Sequence, residues 1–222
     1  METWEKAEVD SEAQIPVETQ ISRFLKGFEE RKYKINSRLE DFSNIDKSDP
    51  NQIFEELAFC LLTPQSKAKS ADASIRNLKA KNLLFSGNAE EIQQNLIGIR
   101  FHITKSKRIV EARTTFKNFT FDYSDIFLLR SAVVKEFKGI GYKEASHFLR
   151  NIGFGQNIAI LDRHIMKNLL KAGVIKEIPK TITPKKYIEI EEKMHIFCQK
   201  IGINMAQLDL LFWSEETGEI LK

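Results

Sequence analysis

The sequence predicts an all-α fold. Apolar residues recur at helical spacing through most of the 222 residues, as they do over 53–62. Helix-breaking residues, among them Gly173, Pro179 and Gly202, separate these runs. Strand signals are few, because the alternating stretch Phe-Thr-Phe-Asp-Tyr at 119–123 is short and isolated. We therefore expect helices joined by short turns, with no internal repeat.

Periodicity and capping signals predict the helices in order. The bounds are about 17–42, 50–62, 66–84, 86–96, 104–119, 124–137, 142–151, 163–172, 184–201 and 204–216. Ser48-Asp49-Pro50 indicates a helix start, and Ser66 and Ser124 are expected N-caps of their helices. Residues 1–16 are polar and predict a flexible tail, so residues 17–222 would form a single helical domain.

Composition restricts the class of protein. With 42% apolar and 29% charged residues, the chain has the balance of an ordinary globular domain. A net charge of +3 is too small to predict a nucleic-acid partner. Basic residues do cluster at 67–81 and 105–113, where they are either phosphate contacts or solvated helix faces.

The cysteines and histidines give no sign of a metal site. Cys60 and Cys198 lie in apolar helical patterns, which is typical of buried thiols in a reducing compartment. Two cysteines are too few for a four-cysteine iron–sulfur cluster. The four histidines lack metal-ligand spacing, and no apolar run approaches the ~20 residues of a membrane span. We expect a cytoplasmic protein without a signal peptide, cofactor, metal or membrane partner.

The segment 137–143, Phe-Lys-Gly-Ile-Gly-Tyr-Lys, predicts a tight hairpin between two helices. Gly139 and Gly141 allow a bare turn to which another backbone can come close. The helix that follows begins with unpaired N–H groups and a positive dipole end, which together favour a phosphate. Lys143 lies in its first turn. An ordinary helix–helix turn with a solvated lysine is the alternative.

Asp162 follows Lys143 by 19 residues. It precedes the apolar pattern of Ile165 and Leu169, so it is also a candidate N-cap. An amine and a carboxylate near a phosphate-binding hairpin would suit covalent chemistry on a nucleic acid. One aspartate can serve as both cap and catalytic group.

The hairpin 137–143, together with Leu161-Asp162-Arg163-His164, resembles the helix-hairpin-helix superfamily of DNA base-excision glycosylases. The resemblance covers about residues 51–222. It implies two helical lobes with a cleft between them and a helix-hairpin-helix at about 124–151. In the lysine-bearing branch of the superfamily, the residue at the position of Lys143 is the nucleophile, and that at Asp162 is its partner.

Further segments are similar to the type-2 8-oxoguanine DNA glycosylases of archaea and some bacteria. They are Cys-Leu-Leu-Thr-Pro-Gln-Ser at 60–66, Arg-Phe at 100–101, Leu-Asp-Leu-Leu-Phe-Trp at 208–213, Thr-Gly at 217–218 and the terminal Ile-Leu-Lys at 220–222. In that family the last residue is a lysine whose free carboxylate helps to recognise the flipped base. The resemblance implies a hairpin that can hold a monovalent cation.

The implied reaction needs no metal. Lys143 would attack C1′ of the extruded nucleotide and form a Schiff base, after which β-elimination would nick the strand. Burial beside Phe137 and Ile140, at a positive helix end, would lower the pKa of this amine. Asp162 would stabilise the cationic sugar and assist proton transfer.

Two groups of residues are candidates for contacts to the DNA. Those for base recognition are Phe101, Asp209, Trp213 and Lys222, with core packing as the alternative for each aromatic residue. Those for the DNA backbone or the opposite strand are Gln65, Ser66, Gly139, Gly141, Arg163 and His164, with a solvated surface as the alternative for the side chains.

Three functions remain open from the residues. The first is removal of 8-oxoguanine from double-stranded DNA, followed by strand cleavage, by a monomeric enzyme. The second keeps the lysine chemistry but acts on another damaged base. The third is a non-catalytic helix-hairpin-helix DNA-binding module, which would have no use for Lys143 and Asp162.

Overall fold

The computed structural model describes residues 16–220. Regular secondary structure in this part of the chain is entirely helical, so the all-α prediction is confirmed. The helices are α1 (Val17–Ser43), α2 (Pro50–Leu62), α3 (Ala68–Ala80), α4 (Leu83–Ser86), α5 (Ala89–Gln94), α6 (His102–Phe116), α7 (Ile126–Glu136), α8 (Tyr142–Asn151), α9 (Arg163–Lys171), α10 (Pro184–Ile201) and α11 (Met205–Thr217). The predicted tail falls almost wholly in residues 1–15, outside the described residues.

The described chain divides into two compact units. Unit 1 comprises residues 16–40 and 155–220, and unit 2 comprises residues 41–154. Unit 1 therefore contains most of α1 together with α9, α10 and α11. Inside it, the rings of Phe24 and Phe212 pack 4.7 Å apart, centroid to centroid. Gln207 also donates a hydrogen bond of 2.9 Å to the Asn36 side chain, which ties α11 to α1.

Unit 2 contains α2 to α8. Its core is built around α2, from Leu57 to Leu62, where every residue is at most 3% exposed. One buried polar contact joins α2 to α8, because the Asn151 amide donates to the Glu56 carboxylate at 2.8 Å. Burying a polar group costs little when it is hydrogen-bonded in this way.

The stretch 119–123 forms no strand. Its aromatic side chains pack on residues that follow α7 and α8: Phe119 lies 5.1 Å from Phe137, and Tyr123 lies 5.2 Å from Phe154, centroid to centroid. The alternation in the sequence thus reflects an irregular segment that buries its aromatic faces. It also anchors the residue that precedes the hairpin, Phe137.

The helix starts correct two sequence predictions. Helix α2 begins at Pro50, within the predicted start, and Asp49 is its N-cap. The expected cap Ser124 is wrong, because α7 begins one residue later and Asp125 accepts from the N–H groups of Phe127 and Leu128. The expected cap Ser66 is also wrong: the N-cap position of α3 is taken by Lys67, which makes no side-chain capping bond.

The observed helix bounds differ most from the predicted ones at the short helices α4 and α5. The bounds of α8 and α10 agree with the prediction, whereas the predicted helix 66–84 divides into α3 and α4 at Asn82, which has a φ of +57°. The predicted helix 86–96 shortens to α5.

Cys60 and Cys198 are buried free thiols, and burial raises the pKa of Cys198 to about 12. Among the described helices, none is both long and apolar enough to cross a membrane.

Candidate active site

The hairpin between α7 and α8 has the geometry that the sequence predicts. Ile140 N–H donates to the Phe137 carbonyl at 3.1 Å and closes the turn. Both side chains are buried, with 5% and 1% of their surface exposed. Gly139 has a φ of +93°, a left-handed conformation that other residues rarely adopt. A Cβ there would meet Arg108 and Leu61 at an ordinary 3.5 Å, so the conformation rather than the space requires glycine.

Gly141 serves the turn differently. Its φ of −98° is open to any residue, but a Cβ would lie only 3.1 Å from Glu144 Oε2. The same carboxylate accepts the Gly141 N–H at 3.2 Å and so satisfies one backbone donor at the start of α8. Glycine at this position therefore lets the carboxylate close over the helix start.

Lys143 is the second residue of α8. Its side chain is 20% exposed, and its Nζ lies 3.4 Å from Glu144 Oε1. The amine is thus partly withdrawn from solvent, at the helix end where the dipole disfavours a cation. Glu144, only 8% exposed, opposes this effect by supplying a nearby negative charge. The Lys143 amine therefore experiences two opposing influences, the dipole of α8 and the Glu144 carboxylate.

Two turns of unit 2 that are joined by a hydrogen bond adopt left-handed conformations at non-glycine residues, as Asn82 does elsewhere in this unit. Gln65, between α2 and α3, has a φ of +54°, and Phe101, just before α6, has a φ of +56°. Gln65 is exposed, and Phe101 is 57% exposed. Ser66 Oγ links the two turns by accepting the Arg100 N–H at 3.0 Å. The structure thus brings Gln65, Ser66 and Phe101 together.

Lys105 is a residue of this region that sequence reasoning assigned only to a basic cluster. It is 7% exposed, and its Nζ donates to the carbonyls of Leu62 and Pro64 and to Ser66 Oγ. One signal could have found it: Lys105 shares the apolar face of α6 with Ile109 and Ala112, at i+4 and i+7. We call Lys105, Lys143 and the turns holding Gln65 and Phe101 the lysine region.

Asp162 lies in unit 1 as the N-cap of α9. Its Oδ1 accepts the Ile165 N–H at 2.8 Å, which confirms the capping interpretation. The side chain is only partly buried. Within residues 16–220, no hydrogen bond engages the second carboxylate oxygen. One oxygen therefore stabilises the helix, and the other remains available for a ligand.

Trp213, on α11, is positioned by its neighbours in unit 1. The His164 ring meets it edge-on, with centroids 5.3 Å apart and planes at 81°. His164 Nδ1 lies 3.4 Å from Glu216 Oε2, an ion-pair distance if the imidazole is protonated. The Trp213 Nε1–H is buried and makes no hydrogen bond within the described chain. We call Asp162, His164 and Trp213 the aspartate region.

The remaining predicted residues are placed as follows. Asp209 is 7% exposed, one helical turn before Trp213. Arg163 is exposed at the start of α9, where a phosphate contact stays a prediction. His164 faces an indole and a carboxylate, so the phosphate role predicted for it is now joined by a packing role. Lys222 lies outside the described residues.

Metal ligands are not grouped in the described part of the chain. Between residues 16 and 220, no cluster of three or more histidine, cysteine, aspartate or glutamate side chains is arranged to hold a metal ion. The chemistry that the two regions offer is that of an amine, carboxylates, aromatic rings and backbone N–H groups.

Comparison with known proteins identifies the family of the chain. Residues 35–203 match the family model described as 8-oxoguanine DNA glycosylase. A protein of Fusobacterium nucleatum named 8-oxoguanine DNA glycosylase/AP lyase is 48% identical over 204 residues, covering 88% of this chain and 94% of that protein. The relative of the same name from Methanocaldococcus jannaschii is 34% identical over 192 residues, covering 85% and 91%.

Solved structures extend the similarity to the fold. The 8-oxoguanine DNA glycosylase of Thermotoga maritima aligns with a TM-score of 0.85 at 30% identity, over 93% of this chain and all of that one. The Methanocaldococcus jannaschii glycosylase/lyase, solved with a 15mer DNA containing 8-oxoguanine, aligns with a TM-score of 0.80 at 34% identity, over 90% and 100%. The chain therefore belongs to the 8-oxoguanine DNA glycosylase family.

Proposed function

We propose that this protein is a bifunctional base-excision repair enzyme that removes 8-oxoguanine from double-stranded DNA and then cleaves the strand. The observation that carries the proposal is the partly buried Lys143 at the start of α8, directly after a hairpin with a left-handed Gly139. Membership of the glycosylase family supports the substrate, as does the solved complex of a relative with 8-oxoguanine DNA.

The first step is extrusion of the damaged nucleotide from the duplex. Unstacking costs a few kcal/mol, which contacts to the backbone and base offset. The hairpin suits the phosphates because Gly139 and Gly141 permit close approach and the dipole of α8 favours an anion, while Glu144 takes up the Gly141 N–H. Gln65, Ser66 and Arg163 are the proposed contacts to the opposite strand and the backbone, with His164 as a further candidate.

Bond cleavage then exchanges one bond at C1′ for another. The neutral Lys143 amine donates its electron pair to C1′ as the bond from C1′ to N9 breaks, and the purine leaves with that bond's electrons and takes up a proton. The amine must be neutral at this step, because a charged amine has no electron pair to give. Asp162 would stabilise the cationic sugar through its charge.

Strand cleavage follows from the covalent product. The sugar ring opens and leaves an iminium between Lys143 and C1′, which makes the protons on C2′ acidic. Removal of one of these protons expels the 3′ phosphate by β-elimination. Water then hydrolyses the imine and restores the amine. The enzyme needs no cofactor for these steps.

Base recognition is assigned to an aromatic pair and two carboxylates. Phe101 offers an exposed ring for stacking, and Trp213 offers an indole held edge-on by His164. Asp209 and the terminal carboxylate of Lys222 would accept hydrogen bonds from donors on the guanine edge. A C-terminal extension would move the second carboxylate and is expected to impair recognition. We propose that the enzyme is a monomer and that it acts in the compartment that holds the genome.

Borohydride trapping tests the proposal. A duplex with 8-oxoguanine opposite cytosine is incubated with enzyme and borohydride, which reduces an iminium to a stable amine. The wild type is expected to form a covalent adduct and Lys143→Gln none, while Lys143→Gln still binds the duplex. Lys138→Gln is the matched control, because Lys138 is an exposed lysine of the same hairpin.

The outcomes separate the three candidate functions. Normal turnover by Lys143→Gln would contradict the Schiff-base mechanism. An adduct formed only with other damaged bases would favour a glycosylase of different specificity. Duplex binding without an adduct on any damaged base or abasic site would favour the non-catalytic DNA-binding module.

A further inference from the structure

Lys105 is a buried cation whose partners are all neutral. Its side chain enters unit 2 from α6 and reaches the carbonyls of Leu62 at 2.8 Å and Pro64 at 2.6 Å. The third acceptor is Ser66 Oγ, at 3.1 Å. Three acceptors match the three donors of an ammonium group. The lysine therefore holds the chain on both sides of Gln65, through two carbonyls before it and the Ser66 side chain after it.

The same network extends to the second turn. Ser66 Oγ accepts both from Lys105 and from the Arg100 N–H, the residue that precedes Phe101. Gln65 and Phe101 each hold a left-handed φ without being glycine. Such conformations cost free energy and persist where the surrounding structure enforces them, often at functional sites. Lys105 and Ser66 provide that enforcement at both turns.

Burial of the Lys105 charge also lowers the stability of the folded chain. Burial lowers the pKa of Lys105 to about 8, and Lys143 acts in the same direction. Arg100 lowers this pKa as well, and Glu144 opposes the effect. A methionine of similar length would avoid the cost of burying a charge. Because Lys105 lowers stability and yet holds the two turns of Gln65 and Phe101, we attribute it to the function of those turns.

We propose that Lys105 is a positioning residue for recognition of the lesion, which holds Gln65 and Phe101 in the orientation that engages extruded DNA. This inference rests on the proposed function, because it takes both residues as DNA contacts. Lys105 itself touches neither base nor phosphate in the proposal. Its loss should reduce the preference for damaged over undamaged DNA, with little change in general DNA affinity.

Binding measurements in a Lys143→Gln background test this, since they do not depend on the charge of the nucleophile. Fluorescence anisotropy gives Kd for two duplexes of one sequence, one carrying 8-oxoguanine and one guanine. The preference is the Kd for the guanine duplex divided by the Kd for the 8-oxoguanine duplex. Adding Lys105→Met is expected to lower this ratio by about tenfold, because small misplacements of contact groups have large effects. The Kd for undamaged DNA should change by less than about threefold.

Two further variants make the test specific. Lys107→Met removes an exposed lysine of the same helix and should leave the ratio unchanged. Lys105→Gln keeps a donor for the carbonyls of Leu62 and Pro64 without the charge, and should lower the ratio in the same direction by a smaller factor. This variant carries the test if Lys105→Met does not fold.

The contrary outcomes are distinct. An unchanged ratio in a folded Lys105→Met protein would overturn the inference. Equal weakening on both duplexes, with a shallower salt dependence, would also overturn it and indicate a direct phosphate contact. Absence of any preference for 8-oxoguanine in Lys143→Gln alone would remove the proposed function, and this inference with it.

Discussion

The lysine region of unit 2 and the aspartate region of unit 1 each place a proposed catalytic charge at a helix start, with opposite consequences. Asp162 caps α9, where the helix dipole favours an anion and Oδ1 accepts the Ile165 N–H at 2.8 Å. Lys143 lies in the first turn of α8, where the same dipole disfavours a cation. The aspartate is thus stabilised by the dipole of its helix, whereas the dipole acts against the charge of the lysine and the nearby Glu144 carboxylate compensates for it.

The two regions also differ in how they hold the proposed base contacts. Phe101 projects from a strained turn and is 57% exposed, with its backbone tied down through Ser66. Trp213 lies within a regular helix and is held by side chains, chiefly His164. One ring is therefore oriented by its backbone and the other by its packing. Four experiments would break or sharpen the comparison of the two regions.

The largest effect is expected at Asp162, where cap and charge can be separated. Asn caps helices as well as Asp does, so Asp162→Asn should fold normally. Its single-turnover excision rate should fall by about 10²-fold or more, because the charge opposite the sugar cation is gone. Asp162→Ala should lose in addition about 1 kcal/mol of unfolding free energy. Quench-flow kinetics and urea denaturation measure the two effects.

Asp125→Ala is the matched control, because Asp125 caps α7 through two N–H groups. It should lose similar stability and retain its excision rate. Full activity in Asp162→Asn would limit this residue to its capping role and erase the contrast between the two helix starts.

The aromatic pair comes next. Loss of base stacking costs about 1–3 kcal/mol, so Phe101→Ala and Trp213→Ala should each weaken binding to lesion DNA by roughly 5- to 150-fold. Only Trp213→Ala should also lower the melting temperature, since Phe101 is largely exposed. Binding curves and thermal melts of both variants test the pair. Equal melting losses would show that Phe101 contributes to packing.

Lys105 predicts a pH dependence of stability. Because burial lowers its pKa from 10.5 to about 8, the unfolded chain binds a proton between these values that the folded chain does not. The free energy of unfolding should therefore rise with pH through this window, by about 1–3 kcal/mol relative to Lys105→Met. Urea denaturation of both proteins at each end of the window measures the difference. An equal pH dependence of the unfolding free energy in both proteins would show that burial of the Lys105 charge does not destabilise the fold.

The smallest effect concerns the contact between His164 and Trp213. In a Trp4→Phe background, Trp213 is the remaining tryptophan, so its emission reports on the edge-on imidazole 5.3 Å away. His164→Gln should change the emission intensity of Trp213 at constant pH, because the ring contact is lost. An unchanged emission spectrum in this variant would mean that His164 does not control the environment of the ring.

Local signals predicted much of the fold. Helix α8 has the predicted bounds, since its start is dictated by the Gly-Ile-Gly turn and its length by apolar periodicity. The capping role of Asp162 also followed from its place before an apolar pattern. Ser66 and Ser124 were wrong as caps, because serine beside a helix start has alternatives. An aspartate one residue later caps α7, and Ser66 bonds Arg100 and Lys105, which are distant in sequence.

What the sequence by itself determined is the class of fold, the hairpin and the identity of the two proposed catalytic residues. Those depend on residue type and spacing over a few turns of chain, together with a family resemblance. Only the tertiary structure decided that Lys105 is buried, that Gln65 and Phe101 share one network, and that His164 packs on Trp213. These contacts join residues about 35 to 50 positions apart. Neither helical period nor capping preference extends over such separations, because both arise from hydrogen bonds within a single turn.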